Sequence, residues 1–315
     1  MSRKTVSSLN LLVPLDGSPL AEQALPFAQM LAGLVPTTIR LLRVIPPGLV
    51  NNLVRYEAVL LGAAGDTMGD RDEQQENMRE ALQSEAETYL KHHADVLAEH
   101  ANKVEIEVAF GTPADQIVAI AQRSPETMIV MATHGKSGLL RWALGSVTTR
   151  VLQQSTHSTL VVRGAEEGVR PASPSLRRMM VCLDGSITAE RALPLATGLA
   201  HVARAEVLLS QVIDPVEAPI ATLSTDAATG RLRELAFGYL DHIAEGIARD
   251  VGRHVTTSVP VGYVAEEIVE EAARKHIDMI VIGRQGVGSS TNSFLGGTAE
   301  KVTQASNVPL LVTGA

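Results

Sequence analysis

The sequence is poor in cysteine, in aromatic residues and in long apolar runs. Cys182 is the one cysteine among 315 residues, which excludes an intrachain disulfide and a cysteine-based metal site. A single thiol fits a reducing compartment, and we expect the protein to be cytoplasmic. No apolar run approaches the roughly 20 residues that a membrane-spanning helix needs, and residues 1–18 lack the apolar core of a signal peptide.

An excess of positive charge is also missing. Lysine and arginine together number 27 against 35 aspartates and glutamates, which gives a formal net charge of −8. Because the basic residues are scattered, the sequence lacks the clustered basic footprint of a nucleic-acid-binding domain. We therefore expect neither nucleic acid nor a membrane among the partners. The hydrophobic share of 45% favours packed cores over disorder.

The chain contains an internal duplication. Leu15–Ser18 (LDGS) recurs as Leu183–Ser186, an offset of 184 − 16 = 168 residues. Further along, Gly135 corresponds to Gly286, an offset of 286 − 135 = 151, so the second copy is 168 − 151 = 17 residues shorter. The sequence places this loss between the second and third strands. Two copies predict two similar domains rather than a solenoid.

The two copies set the predicted domain boundaries. We predict a first domain over residues 1–165, a linker over residues 166–176 and a second domain over residues 177–315. The linker prediction depends on the stretch GAEEGVRPASPS, which is rich in Gly, Pro, Glu and Ser.

Each copy alternates apolar strand patterns with helix patterns. This alternation predicts a doubly wound α/β domain, in which a five-stranded parallel sheet carries helices on both faces. In the first copy we predict a strand over Leu11–Leu15 and one helix from Pro19 to about Leu34, kinked where Pro26 removes a hydrogen bond. Gly48–Gly69 reads as irregular, either a surface loop or a lid over a site.

A strand followed by glycines forms the most informative stretch of the first copy. The apolar run Met128–Met131 ends in a His134-Gly135 turn, and Gly145-Ser146 then begins a helix pattern. Glycines let backbone N–H groups approach a phosphate, and a helix N-terminus favours an anion, so the pattern predicts an anion cradle. It is not a P-loop, because Val130 stands where the first glycine of that motif belongs. A G-x-G-x-x-G dinucleotide motif is absent as well.

The spacing of this stretch resembles the nucleotide motif G-x2-G-x9-G-[ST] of the universal stress protein family. The first copy gives Ala132-x2-Gly135-x9-Gly145-Ser146, with Ala in the place of the first glycine. Each half resembles a universal stress protein domain, and the whole chain resembles a tandem member of the family. The resemblance implies an adenine-nucleotide alpha hydrolase-like fold and an ATP site, with Mg²⁺ as a companion ion.

The family's site residues carry over by position. The resemblance places Asp16 near the ribose or a phosphate-bound metal ion, although an Asp after a strand can also simply cap its turn. Further nucleotide-binding positions implied in the first half are Pro14, Leu15, Val44, Met131, Ala132, His134, Gly135, Gly145, Ser146 and Val147. Those implied in the second half are Asp184, Val212, Gly283, Gly286, Gly296, Gly297 and Thr298.

The second half departs from the family pattern at two places. Cys182 replaces the counterpart of Pro14, and Gly297 follows Gly296 where the motif has a hydroxyl, which arrives one residue late at Thr298. Family members commonly dimerise through the last strand. The resemblance therefore implies an intramolecular pseudo-dimer, with Thr159–Val162 beside Pro309–Thr313, and further homodimerisation is open to test.

The leading interpretation is a cytoplasmic stress-response protein that binds ATP as a regulatory ligand. ATP would bias its conformation or its association with an unidentified protein partner. We expect no catalytic residue and at most slow hydrolysis, since His134 has no recognisable catalytic partner and no arginine-finger arrangement is evident. Two alternatives stay open: a non-nucleotide interaction module of the same family, and a small-molecule enzyme on a doubly wound fold.

Overall fold

The structure is a computed structural model that describes residues 6–60, 68–133, 144–164, 174–214, 225–286 and 295–314. Within these ranges, strands alternate with helices along both halves. The elements of the first half are β1 (Leu9–Pro14), α1 (Pro19–Glu22), α2 (Leu25–Ala32), β2 (Thr37–Ile45), α3 (Pro47–Leu60), α4 (Met68–Leu97), β3 (Lys103–Phe110), α5 (Pro113–Ala121), β4 (Thr127–Thr133), α6 (Ser146–Gln154) and β5 (Thr159–Arg163).

The second half repeats this order, with fewer elements in the described residues between its second and third strands. The elements are β6 (Arg178–Cys182), α7 (Ile187–Glu190), α8 (Leu193–Ala203), β7 (Glu206–Ser210), α9 (Thr225–Val251), β8 (Val255–Ser258), α10 (Val264–Arg274), β9 (Met279–Gly283), α11 (Gly297–Ala305) and β10 (Leu310–Thr313). The part of the predicted linker at residues 166–173 lies outside the described residues.

The strands form one ten-stranded sheet in the order β3-β2-β1-β4-β5-β10-β9-β6-β7-β8. Within each half all described neighbours are parallel. The two halves meet where β5 and β10 pair antiparallel, with Leu310 opposite Val161 and Val312 opposite Thr159. The predicted pair of five-stranded parallel α/β halves is therefore confirmed, and the last strands of the two halves lie side by side.

Strand order reverses once in each half. In the first half the chain runs outward from β1 through β2 to β3, then returns to β4 on the other side of β1. The second half does the same at β6 and β9. In open parallel sheets, ligands bind beyond the carboxyl ends of the strands at this reversal. The crevices after β1/β4 and after β6/β9 are thus the candidate ligand sites of this fold.

The prediction of one kinked helix after β1 is wrong. The chain forms two short helices, α1 and α2, separated by a turn at Gln23 and Ala24. Pro26 lies in the first turn of α2, where a missing N–H costs no helical hydrogen bond. Pro194 occupies the equivalent place in α8. The proline therefore starts a second helix instead of bending a first one.

The prediction that Gly48–Gly69 is irregular is wrong over the part that is described. Residues 47–60 form α3, and residues 61–67 lie outside the described chain. Val50 and Val54 of α3 are buried, and Val50 packs with Ile45 and with Ala86 of α4. Burial of this apolar stripe stabilises a helix that local composition does not announce.

The sheet is buried by helices on its two faces. One apolar core runs under α2, α4, α8 and α9 across both halves. The opposite face has one core under α5 and α6 and another under α10 and α11, and the latter also contains Leu152 and Val161 of the first half. No helix in the described part of the chain has the length and apolar character needed to cross a membrane.

Candidate functional site

A cavity of about 620 Å³ lies beyond the carboxyl ends of β6 and β9. This volume falls within the range of small-molecule sites, about 300–1,000 Å³. All the positions implied in the second half line it: Asp184, Val212, Gly283, Gly286, Gly296, Gly297 and Thr298. The fold thus brings residues from four separate segments to one crevice.

Two glycines of this crevice, Gly286 and Gly283, have little or no space for a side chain. A Cβ on Gly286 would collide with Oδ2 of Asp184, and a Cβ on Gly283 would lie 3.1 Å from the Cα of Ala189. Asp184 is held in place because its Oδ1 accepts hydrogen bonds from the backbone N of Ser186 at 3.0 Å and from its hydroxyl at 2.6 Å. The end of β6 and the turn after β9 therefore face each other at contact distance.

The far wall of the crevice is the N-terminus of α11. Gly296 is the N-cap residue, and its N–H donates to the carbonyl of Arg284 at 2.8 Å. Gly297, the first helical residue, is exposed, and a Cβ placed on it would meet nothing within 4 Å. Helix N-termini carry N–H groups without helical acceptors and a positive partial charge, so this wall can receive an anion.

The first half places its described site residues in the corresponding positions. Asp16 follows β1, and its Oδ1 accepts from the backbone N of Ser18 at 2.9 Å and from its hydroxyl at 2.5 Å. Gly145 is the N-cap of α6 and donates its N–H to Thr133 Oγ1 at 3.1 Å. The remaining described positions lie at or next to the ends of β1, β2, β4 and the start of α6: Pro14, Leu15, Val44, Met131, Ala132, Ser146 and Val147.

Two implied residues of the first half, His134 and Gly135, lie outside the described residues. The described part of the first crevice agrees with the second in three respects: a carboxylate after the first strand, an N-capping glycine, and a helix start beside the fourth strand. The full set of first-half positions stays a prediction.

A family model decides the relationship of this chain to known proteins. The model for the universal stress protein family matches twice, over residues 9–163 and over residues 175–314. The chain belongs to the universal stress protein family.

Relatives extend the match over the whole length. A universal stress protein of Mycolicibacterium smegmatis is 27% identical over 316 residues, which is 98% of each chain. One of Methanocaldococcus jannaschii is 32% identical over 154 residues, 49% of this chain and 93% of its own. The solved universal stress protein of Archaeoglobus fulgidus covers 97% of this chain with a TM-score of 0.67 at 22% identity, so the two share the fold.

Sequence reasoning missed the polar floor of the second crevice in this universal stress protein. Ser210 and Cys182 line the cavity, and the Ser210 hydroxyl donates to Glu271 Oε2 at 2.5 Å. The other oxygen of Glu271 accepts a hydrogen bond from the Ser258 hydroxyl. Glu271 is 0% exposed. A serine ending the apolar strand β7 and a glutamate on the inner face of α10 were the available signals.

Cys182 is not poised for chemistry. Burial, reinforced by the negative charge of Glu271, raises the pKa of the Cys182 thiol far above its usual range. A protonated thiol is a weak nucleophile and a poor metal ligand. This cysteine therefore contributes apolar wall to the crevice.

The metal prediction rests on a single carboxylate. Among the described residues, no group of three or more His, Cys, Asp or Glu side chains is placed to hold a metal ion. Mg²⁺ in nucleotide sites commonly takes one or two protein carboxylates and completes its shell with phosphate oxygens and water. Asp16, which is exposed, fits that mode. Its assignment to a metal stays a prediction.

Proposed function

We propose that this universal stress protein binds ATP, with Mg²⁺, as a regulatory ligand, and that it acts in the cytoplasmic stress response. Membership of the family supports the stress-response role. The observation that carries the nucleotide proposal is the contact between the Gly286 turn and Asp184, beside the N-terminus of α11. That arrangement leaves room for backbone N–H groups to approach a ligand.

The lining of the second crevice suits a ligand with two unlike ends. Val212, Val264 and Ile268 supply apolar surface on one side of the cavity, and the glycine turn with the start of α11 supplies N–H donors on another. An adenine ring fits the first environment and a polyphosphate fits the second. Asp184 lines the same cavity and supplies a carboxylate for a ribose hydroxyl or a phosphate-bound cation.

Regulation rather than rapid turnover is the proposed use of the nucleotide. Fast phosphoryl transfer needs a group that orients the attacking water and cations that stabilise the transition state. In the described lining, Asp184 already accepts two hydrogen bonds from Ser186, and Cys182 is held as a neutral thiol. Slow hydrolysis at most is the expectation. Bound ATP would act through its different affinity for two conformations.

We also propose that the two halves work as an intramolecular pseudo-dimer of domains at 1–165 and 177–315, joined by residues 166–176. The antiparallel pairing of β5 with β10 supports this arrangement. Association of two such chains is a separate proposal, as is a protein partner. Light scattering after size exclusion would show a mass near 67 kDa for a dimer, twice the 33.5 kDa of one chain; a monomer at all concentrations would overturn it.

Calorimetric titration of Mg·ATP into the full chain tests the nucleotide proposal. We expect a dissociation constant on the order of micromolar. Gly286→Val should remove binding in the second half, because its Cβ displaces the Asp184 carboxylate. Gly135→Ala combined with Gly145→Ala should remove binding in the first half. Gly246→Ala, on an exposed position of α9 with nothing within 4 Å of the added Cβ, is the matched control.

The results of this titration distinguish nucleotide binding in both halves, binding elsewhere and no nucleotide binding. A stoichiometry of two that falls to one in each site variant supports a nucleotide site in both halves. Binding that is unchanged in all variants would place the ligand elsewhere. No heat of binding in the wild type, with no nucleotide retained through purification, would overturn the proposal and favour the non-nucleotide interaction module. The presence of Gly297 where the family motif has a hydroxyl residue is consistent with that alternative.

A further inference from the structure

Two arginines, the buried Arg284 and the half-buried Arg163, cross the seam between the halves. Arg284, which is 5% exposed, lies in the second half between Gly283 and Gly286. Its Nη1 donates to the carbonyl of Leu152, and its Nη2 donates to the carbonyl of His157 at 3.0 Å. Both acceptors belong to the first half. A residue of the second glycine turn therefore holds the other half directly.

The acceptor at Leu152 belongs to α6. We call the start of α6, at Ser146, the first cradle and the start of α11, at Gly297, the second cradle. Leu152 lies in the last turn of α6, where carbonyls have no helical partner, so the arginine satisfies one of them. The same helix starts at Ser146, about 9 Å away by the helical rise over the six residues between them. Its other end is fixed by the hydrogen bond from Gly145 N to Thr133 Oγ1. Arg284 thus adds a hydrogen bond at the end of α6 opposite to Gly145.

The reverse connection is made by Arg163, at the end of β5. Its Nη1 donates to the carbonyl of Gln304 and to that of Ser306, the latter at 3.1 Å. These carbonyls lie at the C-terminal end of α11, whose N-terminus forms the wall of the second crevice. Each half therefore sends an arginine to the C-terminus of the helix that begins the cradle of the other half.

Arg284 forms hydrogen bonds with both helices, α6 and α11. Its backbone carbonyl accepts the N–H of Gly296, the N-cap of α11, at 2.8 Å, while its guanidinium holds the end of α6. Because a helix is a stiff element, a shift of the turn around Arg284 displaces α6 as well as the start of α11.

Stability alone does not explain a guanidinium at this place. Burial lowers the pKa of Arg284 to about 10, and its Nε is buried with no hydrogen-bond partner among the described residues. Buried charged groups of this kind are often neutral or unfavourable compared with apolar replacements of similar volume. What the guanidinium adds is directional donors that fix one helix relative to another.

We propose that Arg284 and Arg163 are positioning residues through which each half aligns the anion-binding helix of the other. This inference rests on the proposed nucleotide function. It predicts a crossed pattern: loss of Arg284 disturbs the first cradle more than the second, and loss of Arg163 disturbs the second more than the first.

Mg·ATP calorimetry on the full chain tests the pattern. Arg284→Met and Arg163→Met are each combined with a variant that blocks one site, so that each site is measured alone. The second site is blocked by Val212→Trp, which fills the cavity from outside the turn that contains Arg284, and the first by Gly135→Ala with Gly145→Ala. We expect Arg284→Met to weaken the first site about tenfold and the second by less than about threefold, with the opposite result for Arg163→Met. If one half alone binds ATP, the arginine that reaches it is the test and the other arginine is the control.

A merely structural role gives a different result. Both variants would then lower the melting temperature and weaken the two sites equally, or leave affinity unchanged, and either outcome overturns the inference. Arg284→Lys and Arg163→Lys, which keep the charge but lose the forked donors, should show the same crossed pattern with smaller effects and serve if a Met variant does not fold. A wild type that binds no ATP overturns the proposed function and this inference together, whereas binding without the crossed pattern overturns this inference alone.

Discussion

The two halves share a backbone plan but differ in the floor of their crevices. Leu42 of β2 and Ile120 of α5 are both buried in the apolar core of the first half. The corresponding residues of the second half are Ser210 and Glu271, hydrogen-bonded to each other at 2.5 Å. A buried carboxylate is tolerated there because two serine hydroxyls donate to it.

Much of this difference comes from the position of one carboxylate, which lies on strand β3 in the first half and on helix α10 in the second. In the first half, Arg123 pairs at 2.8 Å with Glu107, which stands beside Leu42 on the neighbouring strand. In the second half Ser258 occupies that strand position, and the equivalent arginine, Arg274, lies 3.7 Å from Glu271 on its own helix. Both halves keep one carboxylate near the arginine, but only the second buries it under the crevice.

The largest effect is expected when Ser210 of the second half, alone or together with Glu271, is replaced by the apolar residue type found in the first half. Ser210→Leu should lower the free energy of unfolding by about 3 kcal/mol, because Glu271 loses a donor to a charged acceptor and gains an apolar neighbour. Ser210→Leu with Glu271→Ile should recover at least half of that loss, since the apolar pair of the first half is restored. Urea unfolding followed by circular dichroism measures both. A double variant as unstable as the single one would mean that the Glu271 pairing is not the cause.

A second difference lies beside the carboxylates that end α1 and α7. Tyr89 donates to Glu22 at 3.0 Å, and Tyr239 donates to Glu190 at 3.0 Å. In the first half a ring nitrogen of His93 also lies 3.4 Å from Glu22, whereas the residue four positions after Tyr239 is an isoleucine. We expect Tyr239→Phe to cost about 2 kcal/mol of unfolding free energy and Tyr89→Phe about 1 kcal/mol, because Glu22 keeps a second polar neighbour.

The same two tyrosines predict a dependence on pH. Burial, followed by the hydrogen bond to its glutamate, raises the pKa of each phenol above the ordinary value of 10.0. A pKa raised in the folded state gives stability that is complete below the unfolded value and is lost as the pH rises above it. Unfolding free energy should therefore fall above pH 10, and fall less in the Phe variants. Equal slopes in wild type and variants would contradict this assignment.

The two helix starts differ by one hydroxyl, and exchanging it between them tests whether that hydroxyl contributes to ATP affinity. The first helical residue is Ser146 in α6 but Gly297 in α11. If phosphate sits at both starts, Gly297→Ser should tighten ATP binding in the second half by about threefold to fivefold, and Ser146→Gly should weaken it in the first by a similar factor. The site-blocked backgrounds described above allow each to be measured by calorimetry. Affinities that do not move would show that the hydroxyl does not contact the ligand.

The smallest expected effect concerns the long helix of each half. Helix α9 carries Gly238 and Gly246 at exposed interior positions, and an added Cβ at either meets nothing within 4 Å. Gly238→Ala should raise the free energy of unfolding by about 0.5–1 kcal/mol through helix propensity. A shift of the urea midpoint at unchanged slope measures it. A loss of stability would reveal a packing contact of α9 that the structure does not contain.

Much of the fold followed from the sequence because its signals are local. Apolar strand patterns predicted β1 and β4 to within a few residues, since burial on both faces leaves an almost continuous apolar run. The two helices around Pro26 were misjudged because a proline in the first turn of a new helix looks, in sequence, like a proline inside an old one. Helix α3 was missed because its stability comes from contacts of Val50 with residues far along the chain.

Part of the candidate site also followed from the sequence, and part did not. The resemblance to the family implied the glycine positions of the second half, and these glycines line the second crevice, while their contact with a ligand stays a prediction. Glu271 was not predicted, because its donors Ser210 and Ser258 come from two other elements. The seam arginines were not predicted either: Arg284 and Leu152 are 132 residues apart.

By itself the sequence determined the duplication, the strand–helix alternation and the places where a chain turn excludes a side chain, because periodicity and steric demand act over a few residues. Only the tertiary structure decided which side chains meet across the sheet. It buries Glu271 beneath one crevice and an isoleucine beneath the other, and it brings Arg163 and Arg284 across the β5–β10 seam. Such contacts depend on how elements far apart in the chain pack together, and no local pattern records them.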